Sequence, residues 1–90
     1  MTVKAGHEPD FERLAQQLAG IIRDREPGVL QYEFFRLREP RSYALLQSFE
    51  SREAEQAHLN GALLAEHGPG LLEFLVGDYN REFLYPLGTD

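Results

Sequence analysis

Ninety residues make one small domain, and with 42% hydrophobic side chains the chain is too apolar for disorder, yet short enough to want cover from a partner subunit. The balance of 15 acidic against 9 basic side chains leaves a net charge of −6 and no cationic cluster, which argues against nucleic acid and anionic membranes as partners. The chain has no cysteine, so disulfides, thiolate metal sites and cysteine nucleophiles are excluded together.

Thr2 to Ala5 reads as the end of a strand broken at Gly6. Phe11, Leu14, Leu18, Ile21 and Ile22 then recur along one stripe of an α-helix. Pro9 suits its first turn, Glu8, Asp10 and Glu12 complement the positive end of its dipole, and Pro27-Gly28 closes it, which predicts a helix over 8–24. Val29 to Leu37 is β-branched and aromatic, with Leu30, Tyr32, Phe34 and Arg36 on one face and Val29, Gln31, Glu33 and Phe35 on the other. Beyond the polar turn Arg38-Glu39-Pro40-Arg41, Ser42 to Phe49 alternates Tyr43, Leu45, Gln47 and Phe49 against Ala44, Leu46 and Ser48, completing an antiparallel hairpin.

Ser51 is a natural N-cap for a second helix, on which Ala54, His58, Gly61, Ala62 and Ala65 share a face. Small residues there let the helix lie close to a sheet, with His58 as the large polar group among them. Gly68-Pro69-Gly70 is expected to interrupt this helix before the apolar turn Leu71–Val76, and Tyr79 to Leu87 reads as a closing strand with Pro86 at an edge. The order strand, helix, strand, strand, helix, strand predicts an α+β, ferredoxin-like βαββαβ sandwich: a four-stranded antiparallel sheet with both helices on one face. The bare face of such a sheet needs a cover, which a homodimer supplies. The N-terminus lacks the basic-then-apolar run of a secretory signal and no stretch reaches about 18 consecutive apolar residues, so a cytoplasmic protein is expected.

Four segments carry a family resemblance: KAGHEPDFERL over 4–14, EPGVLQYEFFR over 26–36, RSYALLQSFESREAEQAHL over 41–59 and YNREFLYPL over 79–87. Lys4-Ala5-Gly6, Pro27-Gly28-Val29, Phe49-Glu50-Ser51 and Gln56-Ala57-His58-Leu59 stand in the order and at the spacing of that family's landmarks. Nearly the whole chain thus resembles the antibiotic biosynthesis monooxygenases, which are dimeric α/β barrels. The resemblance implies a homodimer with a ligand pocket between sheet and helices. It also implies oxygenation of phenols, anthrones or quinols without metal or flavin, although relatives on this fold also cleave haem or act on small signalling molecules. Two departures stand out. The first strand is shorter than the family's and carries no Asn, the first Asn of the chain being Asn60, and Phe49 stands where several oxygenating relatives have Trp.

His58 is the candidate base, because an imidazole takes a phenol proton near neutral pH and so raises the electron density available to O₂. The alternative is a satisfied interior histidine. Tyr32, Tyr43, Gln47 and Phe49 are the candidate substrate-binding residues, able to line a pocket for a flat aromatic, the alternative being plain core packing. His67, expected at a helix end before Gly68, has a capping role as its first reading, with an axial haem ligand as the second. Glu33 is expected to partner Arg36 or another cation across the sheet, the alternative being a buried carboxylate with a raised pKa, and His7 to be a solvated cap residue at the first helix's start. Three scattered histidines without acidic companions give no metal set, so no metal and no cofactor is expected.

Overall fold

The computed structural model describes residues 1–85, 87 and 88. Helix α1 spans Glu8–Arg25, with acidic Glu8 and Asp10 in its first turn, Pro9 beside them and Arg23 and Arg25 in its last. It buries Phe11, Ala15, Leu18, Ala19 and Ile22, while Leu14 and Ile21 flank the stripe half-buried. Pro27 and Gly28 turn the chain into β1, Val29–Arg36. Gly28 has no substitute there, because a Cβ on it would stand 2.7 Å from the Ala54 Cβ.

β1 pairs antiparallel with β2, Tyr43–Phe49, setting Tyr32 opposite Gln47, Phe34 opposite Leu45 and Arg36 opposite Tyr43. Opposed residues share a face, and this one meets the helices. The other face leaves Phe35 and Leu46 exposed. An irregularity between Val29 and Gln31 shifts the register and turns Leu30 out to 65% exposure, so it leaves the face expected for it. Arg41, at φ 62, takes the left-handed conformation in the connection between the strands.

Helix α2, Arg52–Leu59, begins as expected, the Ser51 hydroxyl accepting from the Ala54 N–H at 3.0 Å. Its end differs from expectation. The chain breaks at Asn60–Gly61, where a Cβ on Gly61 would lie 2.8 Å from the Ala57 carbonyl oxygen, and α3 then runs unbroken over Ala62–Leu72. Gly68-Pro69-Gly70 lies inside α3. Proline clashes with the Cβ of the residue before it, and Gly68 has none.

The outer strands are also corrected. Among the described residues only β1 and β2 are strands. The N-terminal segment makes one bridge on each side, Thr2 to Ser42 and Val3 to Leu75. Across the sheet the order is therefore β1, β2, residues 2–3, residue 75. The expected closing strand is irregular and exposed from Tyr79 to Tyr85, and Pro86 lies outside the described residues. Lys4 N–H donates to the Phe74 carbonyl and Val76 N–H to that of Thr2, and among the described residues no main-chain bond carries this pairing past Val76. Val3, Phe11, Leu18, Ile22, Tyr32 and Tyr43 anchor the core between α1 and the sheet.

Candidate functional site

The turn that ends α1 and the last turn of α2 bring two titratable side chains together. Glu26 follows α1 directly, its N–H held by the Ile22 carbonyl at 2.9 Å, and His58 points inward from α2. Nδ1 of His58 lies 2.9 Å from Oε1 of Glu26. Against a carboxylate, which has no hydrogen to give, Nδ1 is the donor, and in the neutral ring of that tautomer the lone pair sits on Nε2. His58 is 2% exposed. Its ring packs against Tyr32 and Phe49, with centroids 5.2 and 5.4 Å away.

Burial, together with the Glu26 charge, pushes the Tyr32 hydroxyl up to about 12, against a smaller opposing effect of Arg81. That phenol is neutral across the physiological range. Gln47, opposite Tyr32 in the ladder, has its Oε1 buried and without a hydrogen-bond partner among the described residues. Tyr32, Gln47, Phe49 and His58 thus form one constellation between the sheet and α2.

Tyr43 belongs to a second cluster. Its hydroxyl donates to Oε2 of Glu12 at 2.5 Å, while Arg36 holds the same carboxylate by two contacts, Nε–Oε2 at 2.9 Å and Nη2–Oε1 at 2.5 Å. The Arg36 and Tyr43 bonds together hold the Glu12 carboxyl down at about 2, and burial with the Glu12 charge raises the Tyr43 hydroxyl. An open cleft of about 410 Å³ borders this cluster, lined by Phe11, Phe34 and Phe35 among others. A neighbouring cleft of about 550 Å³ is lined by Gln16, Ala19, Arg23, Glu33 and Phe34. Arg36 therefore pairs with Glu12, not with Glu33.

Because the folded chain holds Glu12 below its ordinary 4.5, the cluster's contribution to stability is complete above pH 4.5 and is lost as pH falls toward 2. Arg36 is exposed on its side chain, so water screens the pair and the contribution is small. Urea unfolding between pH 6 and 2 should show Glu12→Gln less pH-dependent than the parent chain.

His67 is half-buried within α3, which continues to Leu72, so the helix-end role expected for it does not hold. His7 does precede α1, at its N-cap, and packs on Phe74. Among the described residues no three His, Asp or Glu side chains are grouped to hold a metal ion. Neither carboxylate of these two clusters stands out in the sequence. Glu26 was hidden in the turn signal Glu26-Pro27-Gly28, and Glu12 was absorbed by the helix dipole.

One face of the hairpin is thus covered by helices, with His58 buried against it. The model of the antibiotic biosynthesis monooxygenase family matches residues 1–67. The chain belongs to that family. The solved structure of a Caulobacter crescentus CB15 protein assigned to the antibiotic biosynthesis monooxygenases superposes with a TM-score of 0.81, covering 87% of this chain and 74% of that one at 24% identity. At that identity the superposition shows the shared α+β fold. No curated protein matches the chain. Among the described residues of this family member, no helix is long and apolar enough to cross a membrane.

Proposed function

We propose that this chain is a monooxygenase that oxidises a small electron-rich aromatic, a phenol, anthrone or quinol, with O₂ and without metal or flavin, acting as a homodimer in the cytoplasm. The observation that carries the reading is the Glu26–His58 pair beneath Tyr32 and Phe49. Nε2 of His58 takes the substrate's hydroxyl proton, and Glu26 balances the imidazolium that forms. The substrate anion then gives electrons to O₂. For an anthrone, the ring CH₂ becomes a carbonyl, one oxygen atom entering the product and the other leaving as water. Tyr32 and Phe49 supply ring contacts, and Gln47 has an unused amide oxygen to receive a substrate O–H. Tyr43 contributes from the neighbouring cleft, and His67 stands outside this site.

A second reading has its own support in the enclosure of His58. In it the chain is a non-catalytic dimer that binds a small ligand or only its twin, and the Glu26–His58 bond ties α1 to α2. A thermal-shift screen separates the two, using hydroxylated anthrones, naphthoquinols and haemin, followed by oxygen uptake with any binder. Catalysis requires a shift with one aromatic class, about 2.7 kcal/mol of stabilisation at a hundredfold excess over Kd, and O₂ consumption. A shift without consumption favours the binding protein. A shift with haemin alone moves the reading to a haem-binding relative.

A further inference from the structure

His58 is the residue that the proposed chemistry needs, and it is closed off. Its ring is 2% exposed, lies between Tyr32 and Phe49, and lines neither of the two clefts. An enclosed aromatic ring buries about 150 Å² or more, so no such ring reaches Nε2 until something moves.

Helix α2 is held in a way that lets it move. α1 is docked by five buried side chains, and α3 places Leu63 and Leu71 in the apolar core. No residue of α2 belongs to that core, and His58 is the one residue that α2 buries. The main-chain bonds of α2 run within its own turns and caps. Among the described residues, the contact of His58 with Glu26 is the single side-chain hydrogen bond that ties α2 to another part of the chain. Apolar burial is what resists the parting of packed elements, and a helix docked through a polar group has little of it.

The seat of α2 is narrow. Gly28 lies so close beneath it that a Cβ there would stand 2.7 Å from the Ala54 Cβ and 3.7 Å from the Ala54 Cα. Non-helical residues bound α2 on both sides, Glu50 and Ser51 before it, Asn60 and Gly61 after it. The Glu50 N–H donates to the Gly28 carbonyl at 2.9 Å, which anchors the near end while the helix turns about it.

We infer that α2 is a lid. It pivots at Ser51 and Gly61, parts His58 from Glu26 and from the rings of Tyr32 and Phe49, admits a flat aromatic, and brings Nε2 onto it in closing. The inference rests on the monooxygenase reading proposed above and deepens it by naming what controls entry to that site. Glu26 is then a latch as well as a counter-charge. Its side chain is 20% exposed, so water takes over its hydrogen bond while the lid is up.

Acylation by diethyl pyrocarbonate, read by mass spectrometry on the full chain, tests this without any substrate. The reagent takes the lone pair of an unprotonated imidazole wherever it can reach it, and His7, exposed at the N-cap of α1, is the internal standard. In the parent chain His58 should react at least ~10-fold more slowly than His7. Its rate should stay level as urea rises to just below the unfolding transition, because lifting one helix exposes little surface. Gly28→Ala, which takes away the room for α2 on its seat, should raise the His58 rate at least ~10-fold while the far-ultraviolet circular dichroism is retained. A His58 rate that climbs with urea in step with global unfolding overturns the lid, and this series decides alone if Gly28→Ala does not fold. A folded Gly28→Ala chain with the parent's rate overturns it too, as does a parent chain whose His58 reacts as fast as His7. Oxygen uptake by a chain whose His58 stays shielded overturns the lid and leaves the proposed activity standing, and a moving lid without oxygen uptake does the reverse.

Discussion

Replacing His58 with alanine is expected to lower turnover roughly 10²–10⁴-fold on the aromatic that the binding screen selects. The loss should fall on kcat, since the proton transfer belongs to the transition state and the ring contacts of Tyr32 and Phe49 remain. Glu26→Gln separates chemistry from packing. Its amide occupies the same place and still accepts from Nδ1, but it does not balance an imidazolium. A large drop in kcat with an unchanged melting temperature would mark Glu26 as the residue that sets His58 for its task. Equal turnover in the parent chain and His58→Ala would remove His58 from the mechanism.

The largest stability effect is expected at Phe11. Its side chain is 1% exposed and packs against Tyr43 at 4.8 Å and edge-on to Phe34 at 6.1 Å between ring centroids. Phe11→Ala should cost about 3–5 kcal/mol, because the rings around it are held by both helix and sheet and close only partly on the cavity. In a domain this small that lowers the melting temperature by more than about 12 °C. A calorimetric scan reads it directly, and a fall of only a few degrees would mean that α1 repacks onto the sheet.

Helix α1 and the hairpin were legible because their signals are local: a stripe at helical spacing, a Pro-Gly stop, and alternating aromatic strands. The break at Gly61 was not, because the need for glycine there comes from the Ala57 carbonyl folded back upon it, whereas Gly68-Pro69-Gly70 looks disruptive in any list of propensities. The closing strand failed for a non-local reason. Its residues are strand-forming, but a strand exists only where another offers bonds, and none of the described residues does so beyond Val76.

Of the candidate site residues, His58, Tyr32, Phe49 and Gln47 are singled out by type and face, and the structure places them near one another. Tyr43 shares a strand face with Gln47 yet serves a different cluster. Face does not say how far along a strand a side chain lies from its target, and Tyr43 is four residues from Gln47, at the end that meets Glu12. Glu26 required knowing that the end of α1 and the end of α2 meet, which no periodicity encodes.

The bridge between Val3 and Leu75 also has a bearing on synthesis. Val3 is fully buried, and its segment is fixed by bonds to Arg41, Phe74 and Val76, two of which the ribosome adds some 70 residues after it. At about 5–20 residues per second, roughly 4–15 s separate the two halves of this bridge. During that interval α1 and the hairpin can already pack, while one of the most buried side chains waits uncovered. A nascent chain stalled before residue 74 would therefore expose the Val3 segment to proteases that the finished fold resists.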